Sequence, residues 1–242
     1  LVGVTVLIYA SASVATPLTF DDNGFVHGSV VNSQINGVTI SANNVGGGPN
    51  LAVAFDSTET GTRDSDLEDA WSGGNIDSNE VLGMLLIIQE NSVDNNGDGI
   101  MDNPDDEGSR PAGSLIFDFD MSILEIGFDL VDIEDVDNEP GKVVTVRTAD
   151  NQIGELTFED LAMMDSTIQF GDNSANRISL LSAVDFGLAE DSVFNSVEFE
   201  LGGSGALDNI VYTAVPEPSV LALFGMGLAA VGLARRRQRK AL

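Results

Sequence analysis

The sequence predicts an all-β fold, and more closely a single β-sandwich or jelly-roll-like domain over residues 16–214. Short apolar runs recur along this stretch between turns rich in Gly, Asp and Asn, whereas the helical period is almost absent. Many short strands joined by such turns are typical of sandwiches and jelly rolls. At about 200 residues, the stretch can bury one core without disulfide bonds, and the chain has no cysteine.

The first part of the domain alternates short apolar runs with polar turns. The run Leu18-Thr19-Phe20 predicts the start of the first strand. Two further runs flank the Asn36-Gly37 dipeptide, which is typical of a two-residue turn. We therefore expect a hairpin between residues 30–31 and 38–40.

The remaining strands are predicted from apolar runs and from alternation. Residues 85–88 are apolar and lie between polar loops, which indicates a buried strand. Residues 115–121 alternate, which turns Phe117 and Phe119 inward and the intervening aspartates outward. Residues 60–79 are polar and irregular, apart from one predicted helical turn. Further strands are predicted at residues 51–55, 126–131, 143–148, 152–158, 192–201 and 209–213.

The charge of the domain excludes several classes of partner. Residues 16–214 contain 38 acidic residues against five basic ones, a net charge of about −33. Nucleic acid and anionic lipid surfaces are repelled by such a domain. Self-repulsion also destabilises a compact fold unless cations offset it. The composition therefore predicts a domain that binds no nucleic acid and depends on cations.

The N-terminal segment, residues 1–15, has the composition of a signal peptide. It is apolar and ends in small side chains, which signal peptidase requires at its cleavage site. We expect cleavage after Ala15, or alternatively after Ala12. The segment has no initiating Met and no basic region, so we expect it to be incomplete at its N-terminus.

The C-terminal segment, residues 215–242, combines three features in a fixed order. The triplet Pro216-Glu217-Pro218 comes first, then sixteen apolar or small residues at 219–234, then a cluster of Arg and Lys. A helix of that length rises about 24 Å, short of the ~30 Å hydrocarbon core. The basic cluster should stay on the cytoplasmic side, so the domain faces outward.

This order closely resembles the PEP-CTERM sorting signal of Gram-negative bacteria. In that family an exosortase cuts near the triplet, and the protein is released or re-attached outside the cell, in systems that accompany exopolysaccharide production. The resemblance implies transient anchoring in the inner membrane and then a place at the cell surface or in the extracellular matrix. An ordinary tail anchor is the alternative.

A calcium-binding loop is predicted at residues 94–105. Ca²⁺ takes six to eight oxygen ligands, and alternate side chains of a tight loop converge on one point. Gly99 permits the sharp turn. The last position is an Asp rather than a Glu, and Glu107 could compensate for its shorter reach. The predicted ligands are Asp94, Asn96, Asp98, the Ile100 carbonyl, Asp102 and Asp105.

The loop resembles the isolated calcium loops of dockerin and thrombospondin-type repeats. A solvated acidic loop between strands is the alternative. Residues 51–134 also contain short Asp-rich motifs, such as Phe55-Asp56-Ser57, and resemble a β-rich surface domain of exported bacterial proteins. That resemblance supports an extracellular role.

A second calcium site is suggested near the end of the domain. Residues 203–210 resemble the last strand of calcium-bound carbohydrate-binding jelly rolls. In that family an Asp just before the strand binds a structural ion together with a carboxylate near the first strand. The resemblance implies Asp208 with either Asp21 or Asp22. A turn aspartate is the alternative for Asp208.

Catalytic motifs are nearly absent from the sequence. His27 is its only histidine, and no zinc-binding helix, nucleophile elbow or phosphate-binding loop is present. An Asp/Glu pair that cleaves glycosidic bonds remains open among so many acids. Trp71, in a polar loop, is a candidate for stacking on a sugar, with a role as a core anchor as the alternative.

The sequence thus predicts a non-catalytic exported protein with a calcium-stabilised β-sandwich. Signal peptidase and exosortase are its expected processing partners, and extracellular polysaccharide is a further candidate partner. A carbohydrate-binding module and a polysaccharide-processing enzyme are the alternative functions.

Overall fold

The computed structural model describes residues 15–134 and 144–215. The predicted signal peptide before Ala15 and the sorting segment from Pro216 onward lie outside these residues. Among the helices described, none has the length and apolar character needed to cross a membrane. The prediction of a sorting helix at 219–234 falls on residues that are not described.

The all-β prediction is confirmed, because the described residues form eleven strands and a single short α-helix. Two 3₁₀ turns, at Asp21–Asn23 and Ser65–Leu67, complete the regular structure. The strands and the helix are β1 (Ala15–Leu18), β2 (Val38–Asn44), β3 (Ala52–Asp56), β4 (Gly73–Gly74), β5 (Met84–Ile88), β6 (Gly113–Val131), β7 (Val144–Thr148), β8 (Ile153–Leu156), α1 (Phe158–Met164), β9 (Ser174–Ser182), β10 (Phe194–Leu201) and β11 (Ala206–Ala214).

The long strand β6 organises the sheet. Its first half pairs with β2 and β10, and its second half pairs with β11 and β9. Hydrogen bonding runs in the order β3-β5-β11-β6-β10-β7-β8, and β1 is added beside β11. All of these pairs are antiparallel, whereas the two-residue strand β4 runs parallel to β9. The sandwich or jelly-roll type stays a prediction, since β6 joins both halves into one hydrogen-bonded network.

The two halves of the sheet share one hydrophobic core. The ring of Phe199 on β10 packs edge-on against Phe117 in the first half of β6, with centroids 5.5 Å apart, and against Phe128 in the second half, at 4.8 Å. A second, smaller cluster lies on the other face of β5, so that Leu86 faces the main core and Leu85 faces the second. The prediction of a buried strand at 85–88 is therefore confirmed.

Several predicted elements differ from the structure. The turn at Asn36-Gly37 exists, but Val30 pairs with Val53 and Val38 pairs with Phe119, so the predicted hairpin is wrong. The strands predicted at 115–121 and 126–131 are one strand. No Gly, Pro, Asn or Asp separates them, so nothing in the sequence ends the first.

Three elements were missing from the prediction, and the first is the two-residue strand β4, which lies in the stretch predicted to be irregular. Strand β9 was not predicted, and helix α1 replaces the end of a predicted strand. The helix begins with a capping box, in which Thr157 Oγ1 accepts from the backbone N–H of Asp160 at 3.0 Å, while the backbone N–H of Thr157 donates to the Asp160 carboxylate at 3.0 Å. A Thr followed three residues later by an acid is a known helix-start signal.

Candidate metal centre

The predicted calcium loop closes on itself through its own side chains. The Asp94 carboxylate accepts hydrogen bonds from the backbone N–H groups of Gly97, at 2.7 Å, and Gly99, at 3.0 Å. Both glycines have positive φ, +75° and +85°, which lets the backbone turn towards the carboxylate. Asn96 and Asp98 each accept from the backbone N–H two residues further on, at 2.9 Å. The tight turn expected of the loop is therefore present.

The later predicted ligands of the loop already interact with other groups of the protein. Asp102 accepts from the backbone N–H of Asn95 at 2.6 Å, which keeps it within the loop. Asp105, by contrast, forms an ion pair with Arg63. Ile100 forms an isolated β-bridge with Ser29. Across the described residues, no three acidic or histidine side chains are already arranged to hold a metal ion, so calcium binding by this loop stays a prediction.

The second predicted site has a different character, because its central carboxylate has no partner. Asp208 on β11 lies directly opposite Asp129 on β6, which in turn lies opposite Arg177 on β9. Directly opposed residues of an antiparallel pair project from the same face of a sheet. A β-bulge follows Asp208, where Asn209 has a φ of +46°. Asp208 is therefore the last residue in regular register before the bulge, a feature that interrupts a ladder and re-aims side chains.

Asp208 is fully buried, with 0% of its surface exposed. Neither of its carboxylate oxygens has a hydrogen-bond partner among the described residues. Burial, the first cause, raises the pKa of Asp208 to about 8, and the charges of Asp129 and Asp21 raise it further, while the nearby backbone of Asn209 opposes the rise. An orphaned, buried carboxylate needs either a proton or a cation.

The neighbouring carboxylate, Asp129, is satisfied by contrast. It accepts from Arg177 Nε at 2.9 Å and Nη2 at 2.7 Å, and from the Asn209 amide at 2.9 Å. Arg177 also binds Glu80 at 2.9 Å. Burial raises the pKa of Asp129, and the bonds from Arg177 and Asn209 oppose that rise. One guanidinium thus binds two carboxylates, Asp129 and Glu80, and acts on Asp208 only through its charge, without a hydrogen bond.

Of the two carboxylates near the first strand, Asp21 and not Asp22 acts on Asp208 through its charge. Asp21 raises the pKa of Asp208 through its charge and accepts from the backbone N–H of Met84 at 2.9 Å. The exposed Asp22 instead accepts from Thr19 at 3.4 Å. Of the two alternatives left open by the sequence, the structure thus brings Asp21 into the electrostatic environment of Asp208.

A solvent-open cleft of about 570 Å³ adjoins the charged residues Asp129, Arg177 and Glu80. Asp21, Glu80, Asp129, Arg177 and Asn209 line it, but Asp208 does not. Ions can therefore reach these charged residues from solvent through the cleft.

Trp71 is a core residue, which corrects its proposed role in stacking on a sugar. Only 3% of its surface is exposed, and it packs in the second hydrophobic cluster. Its indole N–H donates to the backbone carbonyl of Glu80 at 3.0 Å. The ring therefore positions the segment that carries Glu80 and has no face to offer a glycan.

Asp129 and Arg177 were missed from the sequence. Asp129 stands inside an apolar run, between Phe128 and Leu130, and a charge at such a position signals a partner. Arg177 is one of five basic residues in the domain, but it lies in the strand that was not predicted. In both cases the signal available in the sequence was a charged residue within a strand, β6 for Asp129 and β9 for Arg177.

Comparison with known families finds the PEP-CTERM protein-sorting motif at residues 214–239. This confirms the resemblance drawn from Pro216-Glu217-Pro218, the apolar run and the basic cluster. The motif marks an exported protein that exosortase recognises and that is anchored transiently in a membrane. No curated protein matches the chain.

Proposed function

We propose, starting from the PEP-CTERM motif, that this chain is a non-catalytic protein of the Gram-negative cell surface or exopolysaccharide matrix, with a calcium-stabilised β-domain. The observation that carries the proposal is the position of the motif. It begins at residue 214, and β11 ends at Ala214. The chain therefore runs from its domain into its sorting signal without a linker.

Calcium is the proposed counter-ion of the domain, and Asp208 is the residue that fits it best. Two orphaned carboxylate oxygens in a buried position match the preference of Ca²⁺ for oxygen ligands. Asp21 is the nearby carboxylate that would share the ion. Bound there, the cation would supply the positive charge that the single guanidinium of Arg177 does not. The loop at residues 94–105 is the second proposed site.

A structural role is preferred to catalysis because of where the carboxylates lie. Asp208 has a raised pKa, as a general acid requires, but it does not line the cleft and so does not reach a substrate held there. Three carboxylates line the cleft, and two of them, Asp129 and Glu80, are bound by Arg177, which leaves Asp21 without a second free carboxylate beside it in the lining. Glycosidases need one free acid and one free base or nucleophile.

Carbohydrate binding in the cleft is also less favoured. Among the described residues that line it, the aromatic one is Phe128, and 1% of its surface is exposed. Sugar recognition usually relies on an exposed aromatic face. With Trp71 buried as well, neither aromatic side chain is available for stacking.

The processing step can be tested by changing Pro216-Glu217-Pro218 to three alanines in a host that carries an exosortase. Because exosortase is expected to recognise the triplet, the variant should accumulate as membrane-bound precursor while the parent is processed. Immunoblots of membrane and extracellular fractions measure both forms. A matched control, Ser219→Ala, keeps the triplet and should be processed like the parent. Equal processing of the triple variant and the parent would contradict the proposal.

A further inference from the structure

A separate group of buried carboxylates lies beyond the end of β6. Asp64, Asp106 and Asp132 come from distant parts of the chain and are 8%, 7% and 1% exposed. The hydroxyl of Ser204, in the turn between β10 and β11, joins two of them. Its Oγ lies 2.8 Å from Asp106 Oδ2 and 2.7 Å from Asp132 Oδ2.

The hydrogen-bond donors at this group are too few for three ionised carboxylates. A serine hydroxyl has one hydrogen, so Ser204 can donate to only one of the two oxygens that it contacts. The backbone N–H of Gly205 donates to the same Asp106 oxygen, and that of Asn173 donates to Asp132 Oδ1 at 2.7 Å. Asp64 Oδ2 is buried and has no hydrogen-bond partner in the described structure.

One carboxylate oxygen of Asp64, Oδ2, is free to act as a ligand. It stands at the N-cap position of the 3₁₀ turn at Ser65–Leu67, yet its side chain makes no capping hydrogen bond. Its carboxylate interacts directly with that of Asp106. Two like charges in contact away from water repel strongly, so the pair needs a positive charge or a proton between them.

The two arginines near this group bind carboxylates outside it. Arg63 is paired with Asp105, and Arg110 contacts Glu134 at 3.0 Å, both at the rim of the group. Full ionisation of the three carboxylates is therefore unfavourable without a cation.

We propose that Asp64, Asp106 and Asp132, together with Ser204, form a binding site for Ca²⁺ that is separate from Asp208 and from the loop at 94–105. All of these groups offer oxygen, which suits a hard divalent cation rather than zinc or copper. A cavity of about 330 Å³, lined by Asp64, Asp106 and Ser204, gives the ion access from solvent.

The acidic rim of the cavity favours entry of a cation. Asp66, Glu90 and Glu134 line it beside Arg63. Ser204 bridges Asp106 and Asp132, and Asp106 interacts with Asp64, so the three carboxylates do not yet surround a common point where an ion could bind. Binding therefore requires the Asp64 side chain to rotate, and its Oδ2 has no hydrogen bond to lose.

The test is the number of Ca²⁺ ions bound by the full chain in detergent, measured by calorimetric titration after chelation. The double variant Asp64→Asn/Asp106→Asn should bind one ion fewer than the parent. The control Asp66→Asn removes an exposed charge from the same cavity and should bind as many ions as the parent. The comparison is repeated with Asp208→Asn in every chain, so that loss of that site does not hide this one.

The single variant Asp64→Asn guards against a folding defect, because Asp64 Oδ2 makes no hydrogen bond that the fold requires. It should weaken Ca²⁺ binding at this site by at least about tenfold, the lower end of the effect of even outer-shell changes at metal sites. If the double variant binds as many ions as the parent, or Asp64→Asn binds Ca²⁺ unchanged, the group is neutralised by protons and the proposal is wrong.

Discussion

Asp208 and Asp129 lie directly opposite each other on β11 and β6, with 0% and 1% of their surfaces exposed, and a single guanidinium faces them. Arg177 binds Asp129 with two nitrogens and leaves Asp208 with none. Like charges directly opposed across strands destabilise a sheet. We therefore expect a cation bound beside this pair to stabilise the domain.

Removing calcium should lower the melting temperature of the protein, and Asp208→Asn should remove much of that effect. Ca²⁺ at 100 times its dissociation constant adds about 2.7 kcal/mol when it binds only the folded form, which corresponds to about 5–10 °C for one site in a domain of this size. Differential scanning calorimetry with calcium and with chelator measures the difference.

Asp22→Asn is the matched control, because Asp22, unlike Asp21, does not line the cleft and accepts a hydrogen bond from Thr19, so the calcium effect should be unchanged. Sodium at equal ionic strength should not replace calcium, since screening supplies no coordination shell. Because burial raises the pKa of Asp208 to about 8, the comparison is best made about one unit above that value, where the metal-free carboxylate is charged. If chelator leaves the melting temperature of the parent protein unchanged, the calcium proposal is contradicted.

The loop at residues 94–105 should contribute its own share of the calcium effect. Asp98→Ala removes the central predicted ligand, and we expect the variant to bind one ion fewer and to lose part of its response to chelator. Asp98 is exposed and bonds only within the loop, so the fold should persist. Unchanged stoichiometry in a calorimetric titration would identify the loop as an acidic turn closed by its own hydrogen bonds.

The capping box of α1 should be worth about 1 kcal/mol, the usual cost of replacing an N-cap threonine by alanine. Thr157→Ala should therefore lower the melting temperature by about 2–4 °C. Thr167→Ala serves as the control, because that exposed hydroxyl lies after the end of the helix and contacts Asp165 and, at 3.5 Å, the Asn75 amide. Equal melting temperatures for Thr157→Ala and the parent would show that α1 is held by packing of Phe158 and Leu161 alone.

Phe199→Ala should destabilise the domain strongly, because this ring packs against both halves of β6. Truncation of a buried Phe costs about 3–5 kcal/mol, or about 6–20 °C here. Val184→Ala changes a side chain that is 53% exposed and should stay near the parent. A small effect at Phe199, similar to that at Val184, would mean that the halves do not depend on a common core.

Local sequence patterns predicted many of the strands and the sorting signal of the protein. Alternating apolar residues located β3, β5, β7, β10 and β11, and the order of triplet, apolar run and basic cluster identified the sorting signal. Asp208 was found because a resemblance pointed to the residue before a strand. Each of these signals lies within a short stretch of chain.

What could not be predicted depends on which strands become neighbours. Asp129 and Arg177 are 48 residues apart in sequence, and only the pairing of β6 with β9 brings them together. The contact of Asp106 with Ser204 spans 98 residues. Such pairings follow from the whole core rather than from local propensity, so a count of acidic residues could not identify which of them meet.

The arrangement of β1 and β11 determines how the domain carries mechanical load. β11 is hydrogen-bonded to β6 along most of its length, and on its other side to β5 near its start and to β1 near its end. Tension applied at Ala214 acts along β11, whereas antiparallel hydrogen bonds lie perpendicular to the strands. These bonds are therefore loaded together in shear and are not peeled apart one at a time. A pull on the tail therefore acts on a strand that is hydrogen-bonded on both sides.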